Sequence, residues 1–153
     1  MIKYVYDVEC IKNLFTATFV NTEDEKDIHV FYIGLGKEDY GDMLKFLRQE
    51  MTLIGYNNHS YDDPLLRFIM TYKGTKLVAE LYDLSAKLVD DNFRNEKNIM
   101  ELRYPKKMLY PWKSMDLMRL LAFDKLGISL KQVAINLKWH KIQDMPVHYL
   151  SSA

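Results

Sequence analysis

From Lys3 to Ile11 the chain alternates: Tyr4, Tyr6 and Val8 fall on one parity and Val5 and Asp7 on the other, with β-branched and aromatic residues plentiful. That pattern predicts a strand. Beyond Asn13, the run from Leu14 to Val20 predicts a second strand, and the acidic residues 21–27 separate it from a third, Ile28 to Ile33. Together they predict a three-stranded antiparallel meander. Residues 39–51 then put Tyr40, Met43, Leu44 and Leu47 at helical spacing, and residues 52–56 read as a short buried strand, so the order begins βββαβ.

A helix is predicted from Tyr61, with Pro64 in its first turn, where a missing amide proton costs little. Leu65, Leu66, Phe68 and Ile69 supply its packing face, and Gly74 follows its end. Leu77, Leu81, Leu84 and Leu88 predict a second helix over 77–91. Residues 92–113 show no sustained period and contain Pro105 and Pro111, so they read as a long loop with at most a short strand. Asp116 can cap a helix through Leu117, Leu120 and Leu121, and Ser129 another through Leu130, Val133, Ala134 and Leu137. No repeat or second-domain linker interrupts this order, which predicts a single domain over 1–153.

Composition narrows the class. With 153 residues, 48% apolar and 27% charged, and only 6 Gly and 4 Pro, the chain is neither a disordered tail nor a collagen-like rod. No run approaches the roughly 18 apolar residues of a membrane span. The amino end lacks the long apolar core of a secretory signal, and the single cysteine, Cys10, can form no internal disulfide, so the expected compartment is the cytoplasm. Lys plus Arg and Asp plus Glu number 21 each, but residues 1–93 hold 10 bases against 16 acids and residues 94–153 hold 11 against 5. Cations held on one half and a polyanion drawn to the other would produce this asymmetry; so would an uneven solvated surface.

Three groups of residues carry candidate chemistry. Asp7 and Glu9, two apart on a strand, leave the same face and repel unless neutralised, which a hard divalent cation does well. An exposed edge strand with two solvated acids gives the same pattern. Asn57, Tyr61 and Asp62 lie at a strand-to-helix junction, with Asp62 in the first helical turn, where the dipole favours its ionised form; a turn at Asn57 with Asp62 or Asp63 as a simple cap is the plainer alternative. Finally, residues 103–113 interleave four bases, including Lys106 and Lys107, with Tyr104, Tyr110 and Trp112. Bases tracking phosphates and rings stacking on nucleobases suit single-stranded nucleic acid, whereas Tyr110 and Trp112 pinning a solvated loop to the core is the alternative. His29, His59 and His140 have no partner at metal-ligand spacing.

Asp7-x-Glu9 on a first strand, followed about fifty residues later by Asn57-x-x-x-Tyr61-Asp62, resembles the first two motifs of the DnaQ-like (DEDD) 3′–5′ exonucleases, most closely the proofreading domains of family B and phage-type DNA polymerases. The stretches Ser114-Met115-Asp116-Leu117-Met118 and Ser129-Leu130-Lys131-Gln132-Val133-Ala134 are similar to the segments that precede the third motif in such proteins. The resemblance implies a ribonuclease-H-like α/β fold, a mixed sheet of three antiparallel and then parallel strands flanked by helices. It also implies two magnesium or manganese ions about 4 Å apart that activate a water and stabilise the leaving 3′ oxygen. Asp7, Glu9 and Asp62 would be catalytic metal ligands, Asn57 and Tyr61 would support the scissile nucleotide, and Asp116 would be a helix-start residue, with a ligand role as the outside alternative. The implied substrate is a single-stranded or frayed DNA 3′ end, and the implied partner the rest of a phage-type polymerase chain, with no membrane involved.

The family carries a fourth carboxylate on a last helix, after a Tyr or His that orients the attacking water. Counting forward from His148 or Tyr149 reaches Ala153, and Asp144, before Pro146, is a poor substitute. The expectation is a domain cut before its last helix or one that lacks the third motif. The competing expectation is a non-catalytic module of the same fold that binds single-stranded nucleic acid or a protein.

Overall fold

The computed structural model describes residues 1–105 and 110–120. They form a mixed six-stranded sheet flanked by helices. The first strand β1 (Lys3–Ile11) pairs antiparallel with β2 (Leu14–Asn21), and β2 pairs antiparallel with β3 (Ile28–Gly34). The two-residue β4 (Lys37–Glu38) extends that edge, and α1 (Tyr40–Leu47) crosses to β5 (Thr52–Gly55), which lies parallel to β1. Two helices follow, α2 (Asp62–Thr71) and α3 (Leu77–Leu88), then a 3-10 turn (Asp91–Phe93) and α4 (Lys97–Arg103). The chain returns through β6 (Lys113–Asp116), parallel to β5, into α5 (Leu117–Leu120). Across the sheet the order is β4-β3-β2-β1-β5-β6.

The alternation along β1 has the consequence its parity dictates. Tyr4, Tyr6 and Val8 are buried on one face with Phe15, Ala17, Phe19, Phe31 and Ile33 from the neighbouring strands. Phe46 of α1 caps this aromatic layer, its ring 4.6 Å from Phe19 and 5.1 Å from Tyr4. Burying such rings supplies most of the driving force for closing the helices onto the sheet. The opposite face carries Lys3, Val5, Asp7 and Glu9; in register, Asp7 faces Thr18 and Glu9 faces Thr16. Val5, Val30 and Tyr32 on that face keep contact with solvent.

Residues 92–103 hold more regular structure than their pattern predicts. The expected loop contains the 3-10 turn and the seven-residue α4, which packs on α2 through the fully buried Ile99. Two helical turns with one deeply buried residue are too short to produce a recognisable period. The helix expected from Ser129, and residues Asp144, His148 and Tyr149, lie outside the described residues. Among the described residues no helix is long and apolar enough to cross a membrane.

Candidate active site

The site forms where the sheet has a gap. The last pairing of β5 with β1 is Ile54 with Val5, so β1 beyond Tyr6 has no strand on that edge. The chain turns back through Tyr56–Tyr61, and the start of α2 takes the open position: the Val8 amide donates to Asp62 Oδ1 at 3.3 Å. Asp62 is thereby placed beside Asp7 without belonging to the same element.

Local sequence dictates the turn. Asn57 adopts φ +56°, a left-handed conformation that Asn tolerates better than most residues. The amides of Asn57 and His59 donate to Asp116 at 2.8 and 3.2 Å, and Met118 N donates to the same carboxylate at 3.0 Å. Asp116, 3% exposed and also 3.8 Å from the Arg119 guanidinium, therefore clamps the turn to the end of β6. Its oxygens are committed to this structural role. Gly55 permits the close approach of the turn, since a Cβ there would meet the Asn58 side chain at 2.7 Å.

Asp63 and Asp62 are neighbours in entirely different surroundings. Asp63 is fully buried and accepts hydrogen bonds from the Tyr6 and Ser114 hydroxyls and from Asn58 Nδ2 at 3.3 Å, with Arg67 3.8 Å away. It ties β1, the turn, β6 and α2 together. Among the described residues Asp62 accepts only the Val8 amide from another element, and burial, then the charge of Asp7, pushes its carboxyl up to about 8 against the pull of that amide. Asp7 is raised by burial too, the Val8 amide opposing, and Glu9 by burial and then by the charge of Asp7.

The three carboxylates thus form two repelling pairs that share Asp7. Among the described residues none of the three is within ion-pairing distance of a Lys or Arg. Nor do any three His, Cys, Asp or Glu side chains converge closely enough there to hold a metal ion. The donor chemistry nevertheless suits one: the three side chains offer only hard carboxylate oxygens, and a divalent cation would offset the burial that raises all three and the charge of Asp7 that adds to it at Asp62 and Glu9.

Tyr61 borders this group. Its hydroxyl hydrogen-bonds Ser85 Oγ of α3 at 2.6 Å, and its half-buried ring senses the charges of Asp62 and Asp7. Cys10, also beside Ser85, is held by burial at about 11, a protonated thiol with no nucleophilic character at neutral pH.

The expected stacking loop divides. Trp112 is buried, its indole N–H directed at Met70 Sδ at 3.4 Å, and its ring belongs to the core rather than to a base-stacking platform. Tyr110 is half-buried, 5.6 Å from the Trp112 ring, and the Arg67 guanidinium lies 5.7 and 5.5 Å from the two rings. The alternative reading, rings that pin the segment, describes this pair; Lys106 and Lys107 lie outside the described residues. Sequence reasoning missed Asp63 as the structural hub, Ser85 as the support of Tyr61, and Arg94 beside the turn; Arg103 it placed among the four bases of residues 103–113. Asp63, next to Asp62, carried a local signal, and Ser85 and Arg94 carried none.

Compared with protein-family models, with curated proteins and with solved structures, the chain matches none.

Proposed function

We propose that the chain is a metal-dependent 3′–5′ exonuclease domain of the ribonuclease-H-like class, acting on a single-stranded or frayed DNA 3′ end. The observation that carries this reading is the gap beside β1, where Asp62 is brought next to Asp7 with Glu9 two residues on, all three lacking a cationic partner among the described residues. The sheet order, an antiparallel meander continued by two parallel strands, agrees with the fold that the resemblance implies. Asp7, Glu9 and Asp62 would hold magnesium or manganese. When bound, the ions supply an activated water and charge stabilisation at the leaving 3′ oxygen. The protein's own contributions are to fix Asp62 through the Val8 amide, to support the cleft wall through the Tyr61–Ser85 bond, and to hold the turn through Asp116.

The test is incubation with 5′-labelled single-stranded DNA and manganese. A ladder shortening from the 3′ end is expected, reduced about 100-fold or more by Asp7→Ala, a partly exposed site whose loss leaves the fold intact. Equal shortening by both proteins would overturn the assignment. No shortening by the unaltered chain, with strand binding retained, would favour the non-catalytic module.

A further inference from the structure

Beside Tyr61 lies a second cleft of about 430 Å³, between the Asn57–Tyr61 turn on one side and the end of α3, the 3-10 turn and α4 on the other. Two arginines line it, and neither has an acidic partner within ion-pairing distance among the described residues. Arg103 is anchored by neutral acceptors, Nε donating to the Ser60 carbonyl at 3.1 Å and Nη2 to the Leu88 carbonyl at 2.7 Å, so its position is fixed without an ion pair. Arg94 is exposed on the rim. Asp90 and Asp91 also line the cleft and keep their charge, Asp90 Oδ1 accepting from the Asn92 amide at 3.0 Å, so an anion's contacts there are confined to the two guanidinium groups. One fixed and one exposed guanidinium in a cleft also lined by Asn57 and Tyr61 suit a single phosphodiester, Arg94 through its planar fork and Arg103 through the N–H groups that the two carbonyls leave over. Tyr61 lines this cleft and also feels the charges of Asp62 and Asp7, so it adjoins both places.

We propose that this cleft receives a phosphodiester of the substrate strand adjoining the one to be cleaved, with Arg94 and Arg103 as its cationic contacts; the inference rests on the strand-cleaving reading above. It assigns the direction of the strand as well, away from the carboxylates and across Tyr61 toward α4.

The experiment is fluorescence anisotropy of a labelled ten-residue oligothymidylate with the full chain, in chelator and across a range of salt. Losing one phosphate contact on a single strand lowers the slope of log affinity against log salt by about 0.7, which at 50 mM salt amounts to roughly a tenfold loss. Arg94→Ala is expected to show both changes, and Arg94→Lys to restore the slope. Lys73→Ala, past the opposite end of α2, is expected to show neither, which separates a local contact from overall charge. Arg94→Ala with unaltered affinity and slope would overturn the inference, and if the Asp7-dependent ladder persists, the exonuclease reading stands without it. A chain that neither binds nor shortens the strand would overturn both.

Discussion

At the residue scale, what separates Asp62 from Asp63 is surroundings rather than chemistry. Asp63 has three hydrogen-bond donors and a nearby guanidinium. Removing it takes the acceptor from the buried Tyr6 hydroxyl and from the Ser114 hydroxyl and leaves Arg67 without its nearby carboxylate, although Arg67 Nη1 still donates to the Leu102 carbonyl at 2.7 Å. Asp63→Ala is therefore expected to cost on the order of 3–5 kcal/mol in urea unfolding. Asp62 behaves in the opposite sense. Its folded carboxyl sits at about 8, above the ordinary carboxylate value of the unfolded chain, so the native state binds the extra proton between those limits. Stability without metal is therefore full below the unfolded value and declines as pH rises toward 8. Asp62→Asn, which keeps an oxygen for the Val8 amide, is expected to flatten that decline and to be the more stable protein at pH 8 in chelator. Urea midpoints at pH 5 and pH 8 check it; a decline as steep as in the unaltered chain would contradict the repulsion ascribed to this site.

At the element scale, the site depends on where β5 stops. Gly55 ends that strand and lets Asn58 pass close enough to reach Asp63 and Ser114. Gly55→Ala drives a methyl group into Asn58 and is expected to destabilise the fold by about 1–3 kcal/mol, with a larger proportional loss of cleavage than of stability at 20 °C. Paired melting and cleavage measurements check it. How much of this was legible follows from the range of each interaction. The meander, α1, β5, α2 and α3 were readable because their apolar periods are local and several residues long. The α4 helix was not, having only two turns. Asp7, Glu9 and Asp62 were readable as a group only through the spacing of two motifs. The separate roles of Asp62 and Asp63, the clamp at Asp116 and the burial of Trp112 depend on partners 40 or more residues away in the chain, which no local pattern encodes.

At the scale of the whole molecule, side chains from the acidic and the basic parts of the chain lie close together, Asp90 and Asp91 of the former lining the same cleft as Arg94 and Arg103 of the latter. The acidic first part supplies the carboxylate group at the gap in the sheet, and Arg94 and Arg103 at the start of the basic part line the cleft next to it. A cation on one side and a phosphodiester on the other would each complement the charge that meets them. On the proposed reading metal binding comes before all else, and it would be coupled to protons, because ligation requires the raised carboxyls to ionise. The decisive measurement is manganese titration by calorimetry at pH 7, in two buffers of different ionisation enthalpy, on the unaltered chain and on Asp7→Ala and Asp62→Asn. Saturable binding with net proton release, weakened at least tenfold by either substitution, is expected. Absence of binding, or binding unaffected by both substitutions, would contradict the assignment of Asp7, Glu9 and Asp62 as a cation site.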